Sequence, residues 1–141
     1  MTGTLIFDGD CGFCTACRDL LTTLDRRGRI NAVPLQRPGI AERIGCTTEQ
    51  LLASVWWLDD DGERCSGAHA VNAALSAALG TRAPLWLYRR SRWLMHVQDA
   101  TYRWIAANRH RFPGRTPYCV RHPADCGAAL DDRPTVDPPT V

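Results

Sequence analysis

The segment Leu5-Ile6-Phe7-Asp8-Gly9-Asp10-Cys11-Gly12-Phe13-Cys14 contains the signals that decide the fold. Its first three residues are a short apolar run typical of a buried strand, and Asp8-Gly9-Asp10 is a turn signal. From Cys11 onward the spacing of the apolar residues becomes helical and continues to a stop signal at Gly28. The segment therefore predicts a strand that leads directly into a helix with an apolar stripe of Phe13, Cys17, Leu20, Leu21 and Leu24.

The following residues extend this start into an α/β domain. Residues 30–35 have the composition of a second strand, and a strand–helix–strand order of about 35 residues favours a parallel pair. Two short helices near residues 39–44 and 48–53, a hairpin over residues 55–66 and an Ala-rich helix over residues 68–79 complete a βαβ–α–ββα order. We expect the Ala-rich helix to bury the face formed by Val71, Ala74, Leu75, Ala78 and Leu79.

After Gly80 the chain becomes rich in arginine. Residues 84–93 and 96–111 are predicted to form two amphipathic helices that bury Trp86, Trp93, Tyr102, Trp104 and Ile105. We expect one domain over residues 1–121, in which residues 82–112 are a helical extension. Residues 122–141 are rich in Pro, Asp and Thr and are predicted to form a flexible tail.

Length and composition exclude several classes of protein. The chain has 141 residues, of which 45% are hydrophobic and 23% are charged, as expected for one folded domain. No apolar run reaches the ~18–20 residues of a transmembrane helix, and the first residues lack the pattern of a secretory signal. We therefore expect a soluble, cytoplasmic protein. All 17 basic residues are arginine, so chemistry that requires lysine is excluded.

The charge is unevenly distributed along the chain. Residues 82–121 contain nine arginines and a single acidic residue, Asp99, although the whole chain has a net charge of only +2. Such a segment can make a weak contact with an acidic partner or with a membrane surface. Alternatively, the arginines form a solvated face whose stems cover aromatic residues. No RNA-binding motif is present, so we do not expect a nucleic-acid partner.

Cys11 and Cys14 are the candidate reactive groups. Two sulfurs three residues apart on the first turn of a helix can form a reversible disulfide. The free N–H groups and the dipole at a helix N-terminus favour an anion, and thiols in this position can have a pKa below the ~8.5 of free cysteine. We therefore interpret Cys11 as the attacking thiol and Cys14 as the resolving thiol.

Two carboxylates precede this pair. As anions they would oppose ionisation of Cys11, but a shielded carboxylate can accept the proton of the resolving thiol. We assign the proton-accepting role to Asp8 and the role of helix cap to Asp10. The spacing is equally compatible with the alternative that both carboxylates only cap the helix and turn the chain.

The segment Phe7–Cys14 resembles the signature of the DCC family of thiol–disulfide oxidoreductases, named for an Asp-Cys-Cys pattern that corresponds here to Asp8, Cys11 and Cys14. The resemblance extends over about residues 4–120 and includes Asp61-Gly62-Glu63-Arg64, Ser66-Gly67-Ala68-His69-Ala70, Tyr102-Arg103-Trp104-Ile105-Ala106-Ala107-Asn108-Arg109 and Gly114-Arg115. It implies a thioredoxin-like fold and an activity of the protein-disulfide reductase type.

The substrate of such an enzyme would be a disulfide-containing protein or a small thiol compound, and an external reductant would regenerate the dithiol. This chemistry needs no organic cofactor. One difference from thioredoxins is that no proline precedes the third strand, so Ser54 or Val55 is expected to face the dithiol.

Other cysteines leave alternatives open. Cys17 extends the pattern to C-x-x-C-x-x-C, whose three thiolates can hold an iron–sulfur cluster or zinc, although Cys17 also fits the apolar stripe of the helix. Cys119, His122 and Cys126 are either zinc ligands, a bridge that can exchange electrons, or a segment with two unpaired cysteines, and we favour the unpaired interpretation. A third alternative is a non-catalytic, thioredoxin-like adaptor that acts through its basic helices.

Overall fold

The predicted strands pair into one mixed sheet. In the computed structural model, which describes residues 2–127, the strands lie in the order β2-β1-β3-β4. Strand β1 is parallel to β2, with Gly3 opposite Ile30, and antiparallel to β3, which in turn pairs with β4 as a hairpin. The strands are β1 (Gly3–Phe7), β2 (Ile30–Pro34), β3 (Trp56–Asp59) and β4 (Arg64–Ser66).

Helices cover both faces of this sheet. Consecutive residues of a strand point to opposite faces, so Leu5 joins a core with Trp57 and the Ala-rich helix, while Ile6 joins a second core with Val33 and Leu51. No helix of residues 2–127 is long and apolar enough to span a membrane. The helices are α1 (Gly12–Leu24), α2 (Ile40–Ile44), α3 (Thr48–Ala53), α4 (Gly67–Leu79), α5 (Ala83–Arg90), α6 (Arg92–Asn108) and α7 (Tyr118–Arg121), with short 3-10 helices at Arg109–Arg111 and Pro123–Cys126.

This element order confirms the predicted α/β architecture: a thioredoxin-like βαβ–α–ββα core followed by additional C-terminal helices. The boundary between the two arginine-rich helices lies earlier than expected, at Ser91. The side chain of Ser91 accepts a hydrogen bond from Leu94 N at 3.2 Å and so caps α6. A good N-cap in this position starts α6 at Arg92 rather than at residue 96.

The predicted burial of three tryptophans is wrong. Trp86, Trp93 and Trp104 are 59%, 74% and 62% exposed. Tyr102 and Met95 on the other side of α6 pack against the core instead. An amphipathic pattern identifies apolar positions, but the apolar residues of α6 occupy two faces of the helix. Only the face with Met95 and Tyr102 packs against the core.

The buried face of α4 also differs from the prediction. Ala74 and Ala78 are buried as predicted, but Val71 and Leu79 are 39% and 51% exposed. The fully buried residues also include Ala70, Ala73 and Ala77. Helix α4 contacts α1, α5 and α6, so its small alanine side chains allow three helices to approach closely.

The domain extends past the predicted boundary at residue 121. The 3-10 helix Pro123–Cys126 packs against α7, where Tyr118 donates a 2.7 Å hydrogen bond from its hydroxyl to Asp125. A disulfide joins Cys119 to Cys126 across this contact. The rest of the predicted tail, residues 128–141, lies outside the described residues.

Candidate active site

Cys11 lies at the N-terminus of α1 and is itself the N-cap residue. Its Sγ accepts a 3.1 Å hydrogen bond from Cys14 N, and its backbone has the extended conformation that an N-cap requires. The prediction that Asp10 caps the helix is therefore wrong. The chain turns before the helix, because Asp8 Oδ1 accepts a hydrogen bond from Asp10 N at 3.0 Å, and the turn leaves Cys11 as the first residue beside the free N–H groups.

Cys14 lies one turn further along α1 and is partly buried. The pKa of its thiol is raised well above the ordinary value, first by burial and then by a hydrogen bond with the Cys11 thiol. The two cysteines are unbonded thiols in this structure. Cys11 and Cys14 thus differ in environment: one sulfur meets a backbone donor at the helix end, and the other lies beside Arg109 and has its pKa raised by partial burial.

Arg109, which follows α6, enters the site from the arginine-rich extension. Its Nη2 lies 3.0 Å from Asp8 Oδ2, and its Nη1 lies 3.7 Å from Cys14 Sγ. The positive charge lowers the pKa of Cys14 and so opposes the effect of burial. Sequence reasoning assigned no role to Arg109, although it ends the Tyr102–Arg109 segment of the family resemblance.

Asp8 is the carboxylate that faces the dithiol, and its side chain is only 9% exposed. Besides Arg109, it contacts Gln36, whose Nε2 donates to Asp8 Oδ1 at 2.8 Å and to Asp10 Oδ2 at 3.1 Å. The negative charge of Asp8 raises the pKa of Cys14. The structure therefore brings Asp8, Cys11 and Cys14 together with Arg109 between the carboxylate and the second thiol, while Asp8 also turns the chain.

A close backbone contact holds the start of α1 against the C-terminal part of the domain. Arg115 N donates to Gly12 O at 3.1 Å, and a Cβ atom on Gly12 would lie 2.6 Å from Arg115 O. Only glycine fits between the two cysteines at this position. The rings of Phe13 and Phe112 pack beside this contact with centroids 5.2 Å apart. The dithiol is thereby positioned by residues more than 95 positions away.

An apolar cavity of about 340 Å³ adjoins Cys14. Ser54 and Val55, the residues predicted to face the dithiol, line this cavity together with Tyr102. Val55 N donates a 2.8 Å hydrogen bond to the Tyr102 hydroxyl. Residues 2–127 contain no cis peptide bond, so the thioredoxin-type cis-proline has no counterpart in this part of the chain.

The remaining cysteines do not form a metal centre within the described residues. No group of three or more His, Cys, Asp or Glu side chains between residues 2 and 127 is arranged to hold a metal ion. Cys17 is exposed and lines the cavity. The unpaired interpretation of Cys119 and Cys126 is wrong, because the two sulfurs are bonded, as the bridge alternative predicted.

The other eight arginines of residues 82–121 are exposed, in contrast to Arg109. They form a positively charged surface around the C-terminal helices. Its predicted weak contact with an acidic partner or a membrane surface stays a prediction.

Comparison with known proteins identifies one family. The sequence model of the DCC1-like thiol-disulfide oxidoreductases matches residues 5–115, a range that contains Asp8, Cys11, Cys14 and Arg109. No curated protein and no solved structure gives a significant match. Since the matched range spans most of the chain and the whole candidate site, the protein belongs to the DCC1-like thiol-disulfide oxidoreductase family.

Proposed function

We propose that the protein reduces disulfides, an activity of the protein-disulfide reductase type, with Cys11, Cys14 and Asp8 as its catalytic residues. The observation that carries this proposal is the contact between Cys11 Sγ and Cys14 N at the first turn of α1. It supports a nucleophilic sulfur held at a helix N-terminus with a second thiol within reach. The exchange uses these two sulfur atoms themselves and needs no organic cofactor.

In the first step the Cys11 thiolate attacks a sulfur of the substrate disulfide. A Cys11–substrate disulfide forms, the substrate S–S bond breaks, and the departing thiolate takes up a proton. The N–H of Cys14 and the other free donors of the first turn stabilise the negative sulfur before the attack.

In the second step Cys14 loses its proton and attacks Cys11 Sγ. The pKa of Cys14 is raised partly by its hydrogen bond with Cys11 and by the charge on Cys11, and both effects end when Cys11 enters the mixed disulfide. Formation of the intermediate therefore lowers the pKa of the resolving thiol at the moment when its thiolate is needed. Asp8 accepts the proton, and Arg109 stabilises the thiolate.

The second step releases the reduced substrate and leaves a Cys11–Cys14 disulfide, which an external reductant returns to the dithiol. We propose the cytoplasm as the location, because its thiol pools supply such a reductant. The Cys119–Cys126 disulfide is buried, with the two residues 7% and 6% exposed, and burial protects it from these thiols.

The test compares insulin reduction by the wild type, Cys11→Ser and the control Cys46→Ser. Cys46 is an unbonded, partly buried thiol that does not line the cavity, so its loss removes a sulfur without touching the proposed pair. We expect Cys11→Ser to lose at least ~100-fold in activity and Cys46→Ser to retain it. Equal activity of Cys11→Ser and wild type would contradict the proposal and favour the adaptor alternative.

A redox titration with thiol trapping checks the same proposal without a substrate. We expect Cys11 and Cys14 to form a reversible disulfide. Failure of these two thiols to link, or a stoichiometric metal or chromophore in anaerobically purified protein, would favour the metal-binding alternative.

A further inference from the structure

The apolar stripe of α1 is only partly covered by the other elements of residues 2–127. Sequence periodicity predicts burial of this stripe, yet Leu20 is 61% and Leu24 37% exposed. Within α1 only Thr15 is fully buried. Leu20, Leu21 and Leu24 instead line the cavity that adjoins Cys14, opposite Val71 and Leu75 of α4 and Ile105 of α6. Three helices thus contribute apolar side chains to a space that no other described residue fills.

The cavity has a reactive end and an open end. Cys14, Asp8 and Arg109 form the first, and the exposed side chains of Leu20 and Leu24 form the second. The ten residues from Cys14 to Leu24 correspond to ~15 Å of helix.

One further charged residue, Arg18, lies along the wall. Its guanidinium is directed elsewhere, because it pairs with Asp19 at 2.8 Å and lies over the ring of Tyr118. The walls between the two ends are therefore apolar, so the cavity suits an elongated group without charge.

We propose that this cavity binds the apolar chain of a low-molecular-weight disulfide whose sulfur atoms lie at the Cys11–Cys14 end. The assignment rests on the proposed function and specifies its substrate class. The volume of about 340 Å³ is at the lower end of the range for small-molecule sites, ~300–1,000 Å³. Continuity with Cys14, whose backbone N donates to Cys11 Sγ at 3.1 Å, places the chain beside the reacting atoms.

The reaction with this substrate is balanced. Cys11 Sγ bonds to the sulfur that carries the apolar chain, the substrate S–S bond breaks, and the other half leaves as a thiol after protonation. Cys14 then displaces the chain-bearing thiol. The protein dithiol loses two electrons and two protons, and the disulfide becomes two thiols.

The test measures kcat/KM for mixed disulfides of 2-mercaptoethanol with ethanethiol, hexanethiol and decanethiol, alongside oxidised glutathione. Burial of apolar groups predicts a rise of about fourfold for each methylene group that enters the cavity. Ala106→Phe fills the cavity from α6, and Ala100→Phe places the same ring on the exposed face of that helix. We expect Ala106→Phe to abolish the dependence on chain length and Ala100→Phe to preserve it. Glutathione disulfide, which has no apolar chain, is the reference substrate for each variant.

A binding measurement separates the cavity from the chemistry. The fluorescent probe N-phenyl-1-naphthylamine is titrated into Cys11→Ser protein with and without Ala106→Phe, and we expect that change to weaken binding at least tenfold. Val71→Phe, at a partly exposed cavity position, serves if Ala106→Phe does not fold.

The outcomes distinguish the two proposals. Reduction of all the disulfides with one kcat/KM, unaffected by Ala106→Phe or Val71→Phe, would overturn the substrate assignment and leave the dithiol function in place. Reduction of none of them, together with probe binding that these variants weaken, would overturn the proposed function.

Discussion

Two cysteine pairs lie beside the turn formed by Asp8, Gly9 and Asp10, and they differ in bonding state and surroundings. Cys11 and Cys14 are unbonded, partly exposed and in contact with a backbone donor and Arg109. Cys119 and Cys126 are bonded and buried. Cys119 N donates to Gly9 O at 2.9 Å. The second pair therefore contacts the backbone two residues before Cys11.

The difference indicates that the surroundings of a cysteine pair, rather than the spacing of its cysteines, distinguish a pair suited to thiol–disulfide exchange from a structural disulfide. The first pair has an accessible sulfur and ionisable neighbours, which thiol–disulfide exchange requires. The sulfurs of the second pair are bonded and buried, and this pair supports the loop: Cys119 Sγ lies 3.7 Å from Gln36 Oε1, and Gln36 also holds Asp8. A division between a reactive and a structural pair has measurable consequences.

The largest expected effect is on turnover. Cys14→Ser should retain attack by Cys11 but lack the resolving thiol, so steady-state disulfide reduction should fall by about a thousandfold. Mass spectrometry should then detect substrate covalently bound to Cys11. The control Cys119→Ala/Cys126→Ala should keep activity within about threefold at 25 °C. Loss of activity in the control equal to that in Cys14→Ser would remove the distinction between the pairs.

The second effect is on the free energy of unfolding and concerns the Cys119–Cys126 disulfide. The bridge closes a short loop with a sequence separation of 7. Cys119→Ala/Cys126→Ala should therefore lower the free energy of unfolding by about 2–3 kcal/mol, measured by urea denaturation. Cys11→Ser/Cys14→Ser should change it by less than ~0.5 kcal/mol, since the thiols are unbonded and partly exposed. A larger loss of stability in Cys11→Ser/Cys14→Ser than in Cys119→Ala/Cys126→Ala would contradict the assignment of Cys119 and Cys126 as the structural pair.

Arg109→Met should slow the resolving step by about tenfold to fiftyfold. Arg109 lowers the pKa of Cys14, so its removal raises that pKa and reduces the fraction of thiolate at neutral pH. The rate should rise with pH in both proteins, with the rise displaced to higher pH in the variant. Stopped-flow measurement of product thiol across neutral and alkaline pH checks this shift, and Arg103→Met, on the exposed face of α6, is the control.

Asp8→Asn distinguishes two roles of the carboxylate. Its negative charge raises the pKa of Cys14, so a purely electrostatic role predicts that Asp8→Asn accelerates resolution at neutral pH. A proton acceptor predicts the opposite, and we expect a net decrease of about tenfold because the two effects partly cancel. Single-turnover release of the reduced product measures the sign, and an increase would contradict the proton-accepting role and leave Asp8 with only its electrostatic effect.

The smallest effect concerns the residue that links the two pairs. Thr15 is fully buried; its hydroxyl donates to Cys11 O at 2.9 Å and accepts from Tyr118 N at 3.0 Å. Thr15→Val removes both hydrogen bonds and should cost about 1–2 kcal/mol in urea denaturation. Thr23→Val, an exposed position on the same helix, should cost less than ~0.5 kcal/mol. Equal effects of the two variants would contradict this linking role.

The strands, the central helices and the dithiol follow from the amino-acid sequence alone, because their signals are local. The apolar run before Asp8-Gly9-Asp10, the helical spacing after Cys11 and the turn at residues 59–62 each involve neighbours along the chain. Such signals depend on backbone preferences and periodicity, and they predicted the four strands, the central helices and the placement of Cys11 and Cys14 at a helix start.

Contacts between distant groups follow from the packing of the whole domain and not from local signals. Arg109 reaches Asp8 across 101 positions, and nothing in an arginine-rich stretch distinguishes the single arginine that points inward from its exposed neighbours. The pairing of Cys119 with Cys126 and the exposure of Leu20 and Leu24 on α1 likewise depend on how helices pack. Periodicity shows that a helix has an apolar face, but what covers that face depends on where the other helices lie.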